Sequence, residues 1–220
     1  MKRFFLAVVL CLGVVAANAQ AVEKTFADLK NEGNAAIKVK DYAKALDLYE
    51  KALVKWGDKP VADTSMIYNM GYCAINSKNY DKAVKYFDQA ISMNYKKANA
   101  YVYLSDIYKI QKKNAESLKA LESALAIAPA DAIVKDKLAA YYVREAYSLY
   151  GKGSSIINKA NSQVTAGKLK TTDAPYKAAD TQAKEEYKKV IPLAEKALEF
   201  DPKNATAKQL KDACEQAIKL

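Results

Sequence analysis

Apolar and polar residues follow one another along this chain with the three- to four-residue spacing of amphipathic helices, and the pattern repeats at a fixed period. Counted from Gly33, alanines follow at offsets of twelve and nineteen and an aromatic residue at sixteen, and the same offsets hold from Gly71. Counted from Ser105, the offsets lead to Ser117, Leu121 and Ala124. The pattern predicts three units of 34 residues, at 26–59, 64–97 and 98–131.

The small residues at these offsets predict that two helices pack closely within each unit. Gly33 lets a neighbouring helix approach, and Tyr49 follows at the offset where a ring can fill the space beside it. Gly71 and Phe87 stand in the same relation in the second unit. Each unit is therefore expected to be a helical hairpin.

The chain after the third unit predicts a longer hairpin and a final helix. Residues 132–202 begin and end with the same residue pattern as the preceding units. Between these ends lie many more residues than a 34-residue unit holds, and apolar residues recur there every three or four positions. We expect two long antiparallel helices joined near 167–175, where Gly167 can end the first. Residues 203–220 predict an amphipathic helix that caps the last apolar face.

The repeated residues resemble those of the tetratricopeptide-repeat (TPR) family, in which glycine, tyrosine, alanine, an aromatic residue, alanine and proline occur in this order. Tyr108 and Pro129 extend the match in the third unit. The sequence lacks the family's early tryptophan and carries a four-residue insertion around 57–60. The resemblance implies an all-α TPR helical-hairpin solenoid with three regular repeats, a fourth with an elongated helical hairpin, and a C-terminal capping helix.

The resemblance also implies a binding function, because the first helices of TPR repeats line a concave groove that holds a peptide or partner protein. We therefore expect a protein–protein interaction scaffold. Its groove positions are Lys30, Asn34, Asn69, Tyr72, Asn76, Asn99, Val102, Tyr103, Asp106 and Lys109. A sharper hypothesis is a clamp for a C-terminal carboxylate, which Lys30, Asn34 and Asn69 match. Asn99 and Tyr103, however, stand where that clamp has cations.

The first nineteen residues predict a secretory signal peptide, residues 1–19. Two cations precede an apolar run over 4–17, and Ala19 precedes the expected cleavage site. The run is shorter than the ~20 apolar residues that span a bilayer. A lipid-modified Cys11 is disfavoured because Leu10 precedes it, where a small residue is needed. We expect an exported protein, periplasmic or otherwise associated with the cell envelope, or secreted, with no transmembrane segment after cleavage.

The chain is basic, with 35 lysines and arginines against 25 acidic residues and a formal net charge of +10. Residues 151–189 hold eight lysines and four acids, so the long hairpin is expected to carry a basic surface that includes Lys152, Lys159, Lys168 and Lys170. This surface supports an alternative function, binding of an anionic envelope polymer. A solvated, lysine-rich helix face explains the same residues. Nucleic acid is not an expected partner of an exported protein.

The sequence offers no catalytic or metal site. It contains no histidine, which removes the commonest general base and the commonest transition-metal ligand. Cys73 and Cys214 lie in different predicted helices and are expected to be core residues rather than a disulfide. No nucleophile stands beside a base, and no glycine-rich loop could cradle a phosphate. We therefore expect neither enzymatic activity nor a cofactor.

Overall fold

A computed structural model of the protein describes residues 23–57 and 63–219. The predicted signal peptide lies outside the described residues. Within these two ranges the chain forms nine α-helices and no strand. In chain order they are α1 Phe26–Lys38, α2 Tyr42–Trp56, α3 Thr64–Asn76, α4 Tyr80–Ser92, α5 Lys97–Ile110, α6 Asn114–Ile127, α7 Ala132–Thr165, α8 Ala174–Phe200 and α9 Ala205–Lys219. None of these helices is both long enough and apolar enough to cross a bilayer.

Successive helices pair as hairpins, and each hairpin packs on the next. Helix α1 packs on α2, α3 on α4, α5 on α6 and α7 on α8, while α2, α4 and α6 also contact the first helix of the following hairpin. This arrangement confirms the predicted all-α helical-hairpin solenoid. One core of buried side chains runs through the first three hairpins, and two further cores lie around α7, α8 and α9.

Short polar side chains fix where the helices begin. The Asp41 carboxylate accepts a hydrogen bond from the Lys44 amide at 3.2 Å, and the Asp63 carboxylate accepts one from the Met66 amide at 2.9 Å. Asn79 accepts from the Lys82 amide at 3.4 Å in the same way. These caps satisfy amides that have no partner within the helix. They therefore set the lengths of the turns and keep the hairpins in register.

The predicted glycine and aromatic pairs are in contact. A Cβ atom placed on Gly33 would lie 2.6 Å from the Tyr49 ring, and one on Gly71 would lie 2.9 Å from the Phe87 ring. In the third hairpin the Ser117 hydroxyl donates to the Ser105 carbonyl at 2.9 Å, so serine replaces the close glycine contact with a buried hydrogen bond. In each of these hairpins, a specific small residue thus allows the two helices to pack closely.

The fourth hairpin is the irregular part of the solenoid. Helix α7 is 34 residues long and α8 is 27, whereas the preceding helices have 13 to 15. Helix α9 packs against both and buries Ala207, Leu210 and Cys214. Lys211 of α9 pairs with Glu195 of α8 at 2.8 Å. This ion pair and the buried contacts of α9 hold the last helix against the long hairpin.

Candidate partner-binding groove

The first helices of the four hairpins are neighbours. Lys30 of α1 forms an ion pair with Asp63 at the start of α3. The rings of Tyr72 in α3 and Tyr103 in α5 lie 5.9 Å apart, edge to face. From α5 the series continues to α7, since Asp106 pairs with Lys137 at 2.6 Å. The predicted groove residues therefore belong to one continuous surface that extends onto the fourth hairpin.

Between α5 and α7 this surface deepens into a cleft of about 230 Å³. The α5 wall is made of four predicted groove residues, and the α7 side adds residues outside the prediction. The lining is Asn99, Val102, Tyr103, Asp106, Asp131, Ile133 and Lys137. Ile133 is 60% exposed, which is high for a large apolar side chain. The cleft thus offers an apolar contact beside amide, phenol and paired charges, a mixture typical of binding sites.

At the α1 end, the groove residues already have partners within the molecule. The Tyr49 hydroxyl donates to the Asn34 amide oxygen at 2.7 Å and also contacts Asn69, while burial raises the pKa of Tyr49 to about 12. Lys30 is held by Asp63. A ligand carboxylate would have to displace these contacts, so the arrangement gives the carboxylate-clamp hypothesis no support.

The groove tyrosines belong to an aromatic cluster that reaches the core. Tyr103 stacks on Phe87 with ring centroids 5.0 Å apart, and Tyr72 packs edge-on against Tyr42 at 5.6 Å. Burial raises the pKa of Tyr103, and a hydrogen bond with Tyr42 is the main cause of a raised pKa at Tyr72. Both rings are half-buried. They stabilise the contact between hairpins and present only part of each ring to a partner.

Two predicted groove residues lie at the far end of their helices and are exposed. The Asn76 amide donates to the carbonyl of Tyr72 at 2.7 Å, within its own helix. Lys109 forms no ion pair with any described residue. These positions extend the groove toward the turns of the hairpins.

Sequence reasoning missed the part of the groove on α7. A second cleft, of about 650 Å³, lies between α7 and the start of α9 and includes Val143, Arg144 and Tyr147. Tyr147 is 63% exposed, and the Arg144 guanidinium lies 5.0 Å from the centre of the Tyr141 ring. The repeat register itself could have identified this wall, because Ile133 has the same position in the fourth unit as Asn99 has in the third.

The basic surface of the long hairpin lies on α7 and on the turn that follows it. Lys152, Lys159, Lys168 and Lys170 are exposed, and none forms an ion pair within the described chain. On α8, at the level of Lys152, two lysines are paired: Lys188 with Glu185 at 2.7 Å and Lys189 with Glu186 at 2.7 Å. Unpaired positive charge therefore accumulates toward the hairpin end.

Cys73 and Cys214, the cysteines of the described residues, are both buried and form no disulfide with each other. Burial raises the pKa of Cys73 to about 12 and that of Cys214 to about 11. A thiol with so high a pKa is protonated at neutral pH and is a poor nucleophile. Among the described residues no cluster of three or more side chains could hold a metal ion.

Comparison with known proteins agrees with this architecture. Residues 68–132 match the tetratricopeptide-repeat family model. A crystal structure of a TPR repeats protein from Bacteroides fragilis is similar at 26% identity and a TM-score of 0.54, over 88% of this chain and 99% of that one. MamA from Desulfovibrio magneticus is similar at 16% identity and a TM-score of 0.51, over 90% and 94%. By its repeated residues, its stacked hairpins and these matches, the chain has the tetratricopeptide-repeat fold and carries, over residues 68–132, the repeat that the family model describes.

Proposed function

We propose that this protein is an interaction scaffold that holds a partner protein or peptide on the groove formed by α1, α3, α5 and α7. TPR folds generally mediate protein–protein interaction and are generally non-catalytic. The observation that carries the proposal is the α5–α7 cleft, where exposed Ile133 lies beside Tyr103 and the Asp106–Lys137 pair. An apolar anchor flanked by polar groups is the usual chemistry of a peptide site.

The charges of the groove point to an uncharged or apolar partner segment. Lys30 is neutralised by Asp63, and Asp106 is neutralised by Lys137. Lys109, at the far end of the groove, forms no ion pair with a described residue, so binding to this surface should depend only modestly on salt.

The proposed location is the cell envelope. It is supported by the predicted signal peptide at 1–19. Fractionation of cells that produce the full chain, with N-terminal sequencing of the product, tests this separately. A product that begins at Gln20 in the periplasmic fraction supports the location, and an uncleaved cytoplasmic product contradicts it.

The groove is tested by affinity capture from the protein's own envelope with two matched variants of the chain from residue 20. Ile133→Asp places a charge in the α5–α7 cleft. Val54→Asp places one at another exposed apolar residue, 80% exposed, on the second helix α2. Partner recovery should fall by roughly tenfold or more for the first and stay unchanged for the second. Equal recovery with both variants, or equal loss, would show that the groove does not hold the partner.

A second candidate function is supported by a different observation, the unpaired lysines Lys152, Lys159, Lys168 and Lys170. Binding of an anionic envelope polymer at this surface should weaken sharply between low and physiological salt. Replacement of all four by glutamine should abolish it. The matched control replaces Lys85, Lys119, Lys203 and Lys208, which are exposed and unpaired lysines elsewhere.

A further inference from the structure

The three regular hairpins share an unusual residue in their turns. Lys40, Lys78 and Lys112 follow the first helix of their repeats with φ of 60°, 61° and 59°, in the left-handed region. In the first turn, the Lys40 amide donates to the Ile37 carbonyl and the Asp41 amide to the Ala36 carbonyl, both at 2.9 Å. The other two turns have the same pair of bonds. This is the Schellman ending of a helix, in which glycine is the usual left-handed residue.

The chain places glycine in the corresponding turn of the fourth hairpin. Gly167, with φ of 70°, follows α7 with the same bonding pattern. A side chain at such a position is disfavoured because its Cβ crowds the backbone. Glycine would therefore adopt the backbone conformation of the other three turns more easily than lysine does. Interaction of a lysine side chain with the C-terminal end of a helix is favourable but does not require this particular position.

The topology brings these lysines to one edge of the solenoid, since each lies between the two helices of a stacked hairpin. We call this surface the turn edge and define it by its exposed lysines, which are Lys38, Lys40, Lys78, Lys109, Lys112 and Lys113. None of the six forms an ion pair within the described chain. Helices pack about 8–10 Å apart, so successive turns place their lysines at intervals of that order or somewhat more. Three acids, Asp41, Asp81 and Glu116, share the edge and leave it cationic.

The long hairpin rises from the same edge. The Asn114 amide at the start of α6 contacts the Glu145 carboxylate of α7 at 3.3 Å, which fixes where α7 passes the last regular turn. Beyond Glu145, the helix continues to Thr165. At 1.5 Å per residue this is a projection of roughly 30 Å. Residues spaced from Glu145 by whole helical turns continue its face, and they include Lys152, Ile156, Lys159 and Gln163.

We call this face of the projection the hairpin wall. Ile156, Lys159 and Gln163 line a cleft of about 310 Å³ there, between α7 and α8. The turn edge and the hairpin wall therefore form a corner, with lysines on both sides.

We propose that the turn edge and the hairpin wall together bind one linear polyanion that follows the corner between them. The proposal rests on the second candidate function and extends it from the hairpin end to the turns of all three regular repeats. Regularly spaced, unpaired cations suit a chain with repeating negative groups, because each lysine can meet one group without a unique docking geometry.

The shape of the corner separates this partner from a membrane. A flat bilayer that touches the hairpin end would stay about 30 Å from Lys112, well beyond the ~10 Å range of screened charge. A flexible polymer can follow both sides.

The surface also differs from the core of a folded-protein interface, which needs a continuous apolar patch. Val39 and Ile110 are the exposed large apolar residues at the turn edge, and they lie on different turns with Ser77 on the turn between them.

The test measures binding of fluorescent dextran sulfate, a linear polyanion, to the chain from residue 20 at about 50 mM and 200 mM salt. The turn variant carries Lys40→Gly, Lys78→Gly and Lys112→Gly, which remove three charges while keeping turns that glycine favours. The wall variant carries Lys152→Gln and Lys159→Gln. The control carries Lys85→Gln, Lys119→Gln and Lys208→Gln, which removes the same charge as the turn variant from exposed sites elsewhere.

The turn and wall variants should each weaken binding by about tenfold or more at the lower salt, and the control by less than about threefold. In the turn variant, which loses three lysine contacts, the slope of log affinity against log salt should also fall by about 2.

Equal weakening in the control and turn variants would overturn the proposal, because binding would then follow net charge alone. If the wall variant binds dextran sulfate more weakly and the turn variant does not, the turn edge takes no part in binding. That result would overturn the proposal but would leave the second candidate function intact. Absence of dextran sulfate binding by the unchanged chain, or binding of anionic vesicles without dextran sulfate, would overturn the polyanion proposal. The groove experiment with Ile133→Asp is unaffected by any of these results.

Discussion

Gly153 of α7 lies directly against the ring of Tyr187 of α8. A Cβ atom on Gly153 would come 2.6 Å from Cε1 of that ring and 3.1 Å from the Ala183 carbonyl oxygen. The hydroxyls of Ser154 and Tyr187 are 3.2 Å apart. The contact reproduces that of Gly33 with Tyr49, so the elongated hairpin contains a close crossing of the kind that holds a regular repeat together.

Replacement of Gly153 by alanine should destabilise the protein. The ring of Tyr187 and the backbone of α8 would have to move, and overpacking of this kind costs about 1–3 kcal/mol. Alanine recovers about 1 kcal/mol of helix propensity, so the expected net loss is up to about 2 kcal/mol of unfolding free energy, measured by urea denaturation.

The same helix offers a matched control at Gly151. Nothing lies within 4 Å of a Cβ atom there, and alanine should raise the unfolding free energy by up to about 1 kcal/mol. Similar responses of the two sites would mean that the contact with Tyr187 does not restrict position 153.

The Gly153–Tyr187 pair also shows where sequence reasoning reached its limit. Offsets from Gly33 and Gly71 identified the close contacts of the regular repeats, because a standard turn fixes the separation at sixteen residues. In the fourth hairpin, extra helix separates the partners, so the offset no longer applies. The spacing of apolar residues predicted that two long helices would pack on each other. It could not predict which glycine contacts which ring, because that depends on how far one helix is shifted along the other.

The groove had a similar limit. The register predicted its positions on α1, α3 and α5, but the partners of Lys30 and Asp106 lie on helices brought close only by stacking. Whether a groove lysine is free or paired is decided by these contacts between hairpins. A single sequence does not give the distances between side chains of different hairpins.

Loss of the Tyr49 hydroxyl should cost stability in the first two hairpins. Tyr49→Phe leaves the half-buried Asn34 amide oxygen without its donor at 2.7 Å, which should lower the unfolding free energy by about 1 kcal/mol. Tyr147→Phe is the control, since Tyr147 is 63% exposed, and should change the unfolding free energy by less than about 0.5 kcal/mol. An unchanged Tyr49→Phe protein would indicate that water replaces this hydrogen bond at no cost.

The two cysteines should resist alkylation in the folded protein. Burial raises the pKa of Cys73 to about 12 and that of Cys214 to about 11, so little thiolate is present and neither sulfur is accessible. With the chain from residue 20, mass spectrometry after iodoacetamide at about pH 8 should find no adduct in the native state. Two adducts should form in about 6 M guanidinium chloride. Rapid native labelling of either residue would place it at the surface.

Stability should fall at alkaline pH and hardly change near neutrality. The chain has no histidine to titrate near neutral pH. Tyr49 and Cys73 have pKa values raised to about 12 in the folded state, so the fold binds their protons more tightly than the unfolded chain does. Their contribution is complete below the ordinary pKa values, about 9 for the thiol and 10 for the phenol, and is lost as pH rises toward 12.

Urea unfolding between about pH 6 and 11 measures this dependence, and tyrosine absorbance near alkaline pH reports the ionisation itself. Constant unfolding free energy up to pH 11 would contradict the raised pKa values of the buried groups.

The left-handed turns make a prediction that is independent of any ligand. Lys78→Gly relieves the strain of a left-handed backbone conformation that a side chain disfavours. Glycine also gives the unfolded chain more entropy, which opposes this gain. The unfolding free energy should therefore be unchanged or raised by up to about 1 kcal/mol. Lys78→Ala keeps the Cβ atom and should give no such gain. If Lys78→Gly and Lys78→Ala instead both destabilise the protein, the part of the lysine side chain beyond Cβ supports the turn. Selection for stability would then account for the lysine without an external partner, and the reason for a cationic turn edge would disappear.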